Sequence, residues 1–463
     1  MSSLRKSKVP HTYVLLFSLI ILAVVGSYVL PAGQFQRIED PNTGRTVVVA
    51  GSFETVEQSP VSFFDTFIAI QKGMIDAAAV VFFVFLVYAS FYVVMQTHAL
   101  HAFIGWLLRV MKGREILIIP VFMYLFALAG SIFGMFEETF GFIPLFVGLA
   151  VAMGYDAIVG MSMVSMGVAM GFAAAFMNPF TVGLAQKFSE LALFSGMGFR
   201  IMSWFVLVTM AVLWTVRYAL KIKKDPTKSL MYGVDMGSLA FDHDELIRSE
   251  FTGRDKLVLG YVVFIIALLI WGVITKGWYF NEIAGLFLIM GIFAGFMAGM
   301  KPSELAGCYV EGLKDITFGA LVIGLSRGIL IVMQEGNIID TVIYGLAQPL
   351  SAFPRWVAAE GMLLIQTLIN FFIPSGSGQA ATTMPIMAPL SDLLNISRQT
   401  AVLAYQYGDG FSNILWPTTL LPVICGIARV PIEKWWKYFV PFFLILLPVQ
   451  MLFIALAVFI GYQ

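Results

Sequence analysis

Eleven apolar runs set the terms for this chain: residues 13–30, 76–96, 116–155, 157–176, 198–220, 257–275, 283–300, 318–333, 356–394, 400–427 and 439–460. Several reach or exceed the roughly 20 residues an α-helix needs to cross a bilayer. None alternates with period two, the mark of an outer-membrane barrel. Only 12% of the residues are charged and the net charge is zero, whereas soluble domains carry roughly 25% charged residues. The class is an all-α polytopic membrane protein. Run 13–30 follows Arg5, Lys6 and Lys8 as a signal peptide would. Its apolar part is too long for one, and no small-x-small site follows cleanly, so it reads as a retained first span.

Two cysteines, Cys308 and Cys425, lie far apart and outside any metal-type spacing, so neither a disulfide framework nor a metal cluster is indicated. His11, His98, His101 and His243 are scattered. His98 and His101, at i and i+3, read as part of a surface helix rather than as metal ligands. No cofactor is expected, and coupling to sodium or protons stays open.

A hydrophilic insert, residues 221–256, divides the chain, and the two sides resemble each other. IQKGMIDAA (70–78) resembles YVEGLKDIT (309–317), and VMQ at 94–96 recurs at 332–334. FIPLF (142–146) falls opposite IMAPL (386–390), and GFAAAFMNPFT (171–181) opposite GFSNILWPTT (410–419). Four matches in one order indicate a duplicated unit. Each unit reads as a span, a long charge-poor stretch broken by small or polar residues, a helix broken at a proline, and a final span. The arm 116–130 is about 22 Å long as a helix, short of the roughly 30 Å hydrocarbon core. It therefore reads as half of a re-entrant hairpin, and PSGSGQ (374–379) as the tip of a second one.

Counting the hairpins as non-crossing leaves about nine full spans, and the distribution of Lys and Arg then places the N-terminus in the cytoplasm and the C-terminus outside. The two units start from opposite faces, so the repeat is inverted. The expected organisation is a first span and external loop (1–60), repeat 1 (61–222, hairpin near 116–155, broken helix near 157–195) and a cytoplasmic linker (223–256). Two connecting spans (257–302) and repeat 2 (303–463, hairpin near 356–394, broken helix near 400–427) follow.

Inverted repeats of this type build a solute site near the bilayer midplane from hairpin tips and unwound helices. The tips differ in chemistry. FGMFEETFGFIP (133–144) carries Glu137 and Glu138, the only charged residues within 116–155. SGSGQAATT (375–383) is neutral and small, so backbone N–H groups at its helix start suit a carboxylate. A solute with a positive and a negative end fits both. Candidate solute contacts are Glu137, Glu138, Asn178, Ser375, Ser377, Gln379, Thr382, Asn413 and Arg327. Asp409 and Glu138 are candidates for a coupling ion or proton. Structural readings compete: adjacent glutamates on a regular helix diverge by about 100°, so one of them can simply cap the second arm. Arg327, in the middle of a span, either holds a carboxylate or neutralises Glu137, Glu138 or Asp409. Asp409 either binds an ion or caps broken backbone, and the small residues of the second tip also suit close packing.

The segments GMFEETFGFIPLF, GFAAAFMNPFTVGLAQ, LSRGI, IPSGSGQAATTMPIMAPLSDLL and QYGDGFSNILWPT resemble the DcuC/YfcC family of the ion transporter superfamily over most of the chain. The resemblance implies a secondary carrier with scaffold and transport parts, a homodimer, elevator-like movement and a bacterial cytoplasmic membrane. It also implies sodium or proton coupling, or exchange, without an ATP site. Family members are associated with C4-dicarboxylates or with amino acids, including arginine and ornithine exchange, and this chain looks closer to the basic amino acid group. Superfamily relatives bind sodium at Ser-Asn-Thr hairpin motifs, which neither tip carries intact.

Three readings compete with an amino acid antiporter or symporter, the first of them in the same class. A dicarboxylate or short-chain carboxylate symporter shares the architecture. A channel would show symmetric pore-lining polar stripes. An intramembrane enzyme would need a catalytic pair within the spans, and no histidine lies in a core segment.

Overall fold

Apolar runs become helices until glycine, proline or a turn residue stops them. The computed structural model describes residues 11–40, 45–49, 51–234 and 250–463. The basic residues before His11, His243 and most of the acidic part of the linker lie outside the described residues. Helix α1 (Thr12–Val29) leads to two antiparallel strand pairs, β1 (Gly33–Gln34) with β4 (Glu54–Thr55) and β2 (Arg37–Asp40) with β3 (Arg45–Val48). Then come α2 (Phe63–Asp76), α3 (Ala78–Gln96), α4 (Ala99–Val110), α5 (Ile118–Phe133), a 3-10 turn (Glu137–Phe142) and α6 (Ile143–Ala152). Helices α7 (Ala157–Ala173), α8 (Val182–Phe188) and α9 (Met197–Lys224) complete the first part. Beyond the linker, α10 (Gly253–Lys276) and α11 (Phe280–Met297) precede α12 (Pro302–Glu335), α13 (Ile339–Ala347), α14 (Arg355–Phe372) and α15 (Gly376–Leu393). The chain ends with α16 (Arg398–Ser412), α17 (Leu421–Ala428) and α18 (Ile432–Ile460).

Among the described residues eight helices are long and apolar enough to cross a membrane: α1, α3, the stretch Glu115–Phe133 that contains α5, α9, α10, α11, α12 and α18. The Glu115–Phe133 arm has 19 residues, longer than the arm expected to end at residue 130. Gly130 does not stop the helix; the chain turns only at Gly134, whose φ of 68° is the left-handed conformation glycine supplies at low cost. His98 stands before α4 with φ 61°, outside the helix expected to hold it together with His101.

The two sides of the chain stop their helices in register. Left-handed residues end helices at Glu190 and Arg429 and separate helices at His98 and Asn337, each pair 239 residues apart. The N–H of Leu191 bonds the Gln186 carbonyl just as that of Val430 bonds Cys425, both at 2.9 Å. Packing repeats as well. The Gly73 backbone lies against Gly328 of α12, and Gly312 of α12 lies against Ala89 of α3. Position 312 is 239 after 73, and 328 is 239 after 89, so one contact is made twice with the partners exchanged. The partner number falls as the position rises from α2 into α3, so α12 runs antiparallel to that pair. One difference stands out: α12 is continuous over 34 residues, whereas its counterpart is interrupted at Ala77.

Two packing groups result. Helices α1, α2, α3 and α12 pack together with α11 against α3. Helices α5 and α7, α14 and α16, α7 and α16, and α8 and α15 pack against one another. The break expected at Gly408-Asp409-Gly410 followed by Ser412, Asn413 and Trp416-Pro417 falls on its later part: residues 408–412 are helical, and the unwound stretch is 413–420. The two glycines serve close approach instead. A Cβ on Gly410 would stand 2.3 Å from Ala173 Cα, and one on Gly408 2.5 Å from Gln366 Cβ.

Candidate functional site

At the first tip, the 3-10 turn places the two glutamates differently. Glu138 is buried and its Oε2 accepts a hydrogen bond from the Phe136 N–H at 2.9 Å. Thr139 Oγ1 donates to the Phe136 carbonyl at 2.6 Å, which tightens the same turn. Glu137 is only half-buried. At the second tip, Ser375 caps α15, its Oγ accepting from the Gly378 N–H at 3.3 Å. The other first-turn N–H groups of α15 have no intrahelical acceptor by construction. The Tyr405 hydroxyl donates to the Gly376 carbonyl at 2.6 Å, fixing the tip to α16.

Both tips line one cavity of 200 Å³. Glu137 and Glu138 line it together with Ser375, Gly376 and Ser377. The unwound stretches contribute Thr181, Asn413, Thr418 and Thr419. The α2–α3 joint (Asp76, Ala77), α12 (Ser326, Arg327) and Tyr279 also line it. Arg327 is ion-paired with Asp76, not with the glutamates or Asp409. Counting Asp76, Glu137 and Glu138 against Arg327, the lining carries a formal charge of −2.

Six sequence candidates thus meet at the cavity: Glu137, Glu138, Arg327, Ser375, Ser377 and Asn413. Four stand behind its surface. Asn178 is fully buried and its Oδ1 accepts from the Phe180 N–H at 2.9 Å, holding the first unwound stretch. Gln379 is also fully buried and bonds Gln366 across the second hairpin, at 2.9 Å to its carbonyl and 2.6 Å to its Oε1. Thr382 donates to the Gly378 carbonyl at 2.8 Å, within α15. Asp409 is fully buried, and neither carboxylate oxygen has a hydrogen-bond partner among the described residues. Its Oδ2 lies 3.1 Å from the position a Cβ on Gly376 would take, directly behind the second tip.

Sequence reasoning missed Asp76, Tyr279 and the threonines of the unwound stretches. It also missed Asn370, whose Nδ2 reaches the Asp409 carbonyl at 2.9 Å and Ser412 Oγ at 2.7 Å where α16 ends. The repeat itself held a signal for Asp76, since that residue is half of the matched pair Asp76 and Asp315. An Asp inside an apolar helix, answered by an Arg on the counterpart helix, is a detectable pattern.

The chain is 33% identical to the Escherichia coli (strain K12) protein named "Putative basic amino acid antiporter YfcC", covering 94% of this chain and 93% of that one. It is 29% identical to an uncharacterized protein of Haemophilus influenzae, with 93% of each covered. Among solved structures, it is similar to the Alcanivorax borkumensis YdaH transporter, at TM-score 0.46 and 17% identity over 98% of this chain and 99% of that one. Neisseria gonorrhoeae MtrF gives TM-score 0.47 and 18% identity over 98% of this chain and 96% of the other. The profile of the DcuC family, described as C4-dicarboxylate anaerobic carrier, matches residues 9–459. With a match across nearly its whole length and a full-length relative at this identity, the chain belongs to the DcuC family of membrane transporters.

Proposed function

We propose that this chain is a secondary active transporter of a small carboxylate-bearing metabolite, and that the metabolite is an amino acid, with exchange of basic amino acids such as arginine and ornithine. The observation that carries this reading is the formal charge of −2 on the cavity lining, which favours a cationic end on the solute. Glu137 and Glu138 face that end. The solute carboxylate takes the start of α15, with Ser375, Ser377 and Asn413 around it. Arg327 and Asp76 line the same cavity, and Asn178, Gln379 and Thr382 hold the tips in shape. Asp409, with Glu138, takes the coupling proton or sodium ion. An ionised carboxylate buried without a partner is costly, which supports a proton or a cation on Asp409.

The units 61–222 and 303–463 are an inverted repeat in this reading, supported by the contact exchanged between Gly73–Gly328 and Ala89–Gly312 on antiparallel helices. The hairpins and broken helices move as one body against α1–α3 and α12 in an elevator-like cycle. Two re-entrant hairpins and nine spans place the N-terminus in the cytoplasm and the C-terminus outside a bacterial cytoplasmic membrane, and the protein works as a homodimer. The YfcC name supports the substrate class.

A sodium- or proton-coupled carrier of C4-dicarboxylates or short-chain carboxylates is the second reading. It is favoured by Arg327 and the start of α15 in the same cavity, two positive features able to meet two carboxylates, and by the family description. Counterflow in proteoliposomes separates the two readings, using arginine, ornithine, neutral amino acids, succinate and malate with and without sodium. Exchange of arginine and ornithine supports the first, and exchange of dicarboxylates alone overturns it.

A further inference from the structure

A second cavity, of 270 Å³, opens where the C-terminal end of α9 meets the start of α18 and the linker. Arg217, Lys221, Lys228 and Lys437 line it, and no acidic residue does. Lys228 is ion-paired with Asp225 at 3.2 Å. Arg217, Lys221 and Lys437 have no ion pair among the described residues, and all three are exposed. Asp156, the carboxylate that ties the linker down, is already occupied, accepting from Tyr218 and Ser229 hydroxyls at 2.6 Å each.

Trp214, Arg217 and Lys221 follow one another at i, i+3 and i+7, so they share one face of α9. Lys221 stands in the last turn and Arg217 about one turn deeper, the level at which cationic side chains reach from a spanning helix toward head groups. Trp214 is deeper again. It lines the cavity too, but its indole N–H is fully buried and does not face it. A pocket with three unneutralised cations beside the aromatic and aliphatic side chains of Trp214, Leu230, Tyr438 and Pro441 calls for a ligand with an anionic head and an apolar body. We infer that this cavity binds an anionic phospholipid, with the phosphate among Arg217, Lys221 and Lys437 and the apolar part of the lipid along Trp214 and Pro441. Basic pockets between spanning helices recognise lipid head groups in this way. The inference is independent of the solute reading, since none of these residues lines the cavity between the tips.

The test is native mass spectrometry of the full chain in detergent, titrated with phosphatidylglycerol, phosphatidylethanolamine, glycerol phosphate or inorganic phosphate. The wild-type protein is expected to retain phosphatidylglycerol in preference to phosphatidylethanolamine. The triple variant Arg217→Gln, Lys221→Gln, Lys437→Gln should bind it roughly 100-fold more weakly, about fivefold per cation. Lys437→Gln alone, less prone to disturb folding, should lose about fivefold, and Lys314→Gln, at a distant surface, nothing. Trp214→Ala, which removes the ring lining the cavity, should weaken the lipid and leave inorganic phosphate unaffected. Equal displacement by inorganic phosphate, or equal lipid retention by wild type and Lys437→Gln, overturns the inference. So does lipid binding that appears only after Asp242, Asp244 and Glu245 of the linker are neutralised, since the acidic linker would then be the occupant.

Discussion

Replacing Glu137 by Gln removes one negative charge from the cavity and changes little else, because Glu137 makes none of the tip-fixing bonds that Glu138 makes. The cavity of 200 Å³ is narrow. A solute cation at its centre stands roughly 5 Å from the carboxylate, where opposite unit charges attract by about 3 kcal/mol at an effective dielectric constant of about 20. Each 1.4 kcal/mol is about tenfold in affinity, so Glu137→Gln should weaken arginine by roughly 100-fold. Citrulline has nearly the shape of arginine without its charge and provides the reference. Counterflow in proteoliposomes, measured as half-saturation for each solute, should show the loss for arginine and almost none for citrulline. Glu138→Gln should behave differently: the amide oxygen still accepts from the Phe136 N–H, but as a neutral bond roughly half as strong. Uptake of citrulline should therefore fall as well, with arginine losing in addition the attraction of the second lining carboxylate. If Glu137→Gln weakens arginine and citrulline equally, the cavity charge is not what selects the solute and the basic amino acid reading fails.

Three further outcomes are expected. Asp409→Asn should leave solute binding within a few-fold and abolish the dependence of uptake on an imposed proton or sodium gradient; uptake that still follows the gradient would remove Asp409 from coupling. Arg429, just past α17, reaches Asp315 of α12 at 3.4 Å, an exposed pair of the kind measured at about 0.2–1 kcal/mol. Arg429→Gln should accordingly shift the balance between the two faces by up to about fivefold, read as the labelling rate of a cysteine at Ser377 after Cys308 and Cys425 are replaced by Ser. An unchanged rate would show that the pair does not hold one face closed. Gly410→Ala puts a Cβ 2.3 Å from Ala173 Cα and should cost about 1–3 kcal/mol, seen as a lower Tm, with Gly277→Ala, in open space but at positive φ, as a milder control.

The helices and both tips were legible because their signals are local: an acidic pair or a glycine-serine run inside otherwise apolar sequence admits few explanations in a membrane. The partner of Arg327 was overlooked because Asp76 lies 251 residues away, where only its match with Asp315 marks it. Gly408 and Gly410 were misread for the opposite reason. Locally a Gly-Asp-Gly sequence signals a break, but the backbone of one neighbouring helix and the side chain of another occupy the space that a Cβ would need. Helix packing overrides propensity there. Glu137 and Glu138 could not be told apart from sequence, because their difference lies in one hydrogen bond formed only after the turn closes.

The interruption at Ala77 has a consequence for how charge is presented to the solute. A continuous helix delivers its positive and negative poles only at its two ends, far from the middle of the membrane. By stopping α2 and restarting as α3, the chain creates an additional pair of poles at Asp76 and Ala77, both on the cavity wall. The counterpart segment around Asp315 and Ile316 runs through without a stop and has no such poles. The α2–α3 joint therefore polarises the cavity from its backbone while α12 offers side chains alone, so substitutions at Ala77 and at Ile316 should not be interchangeable.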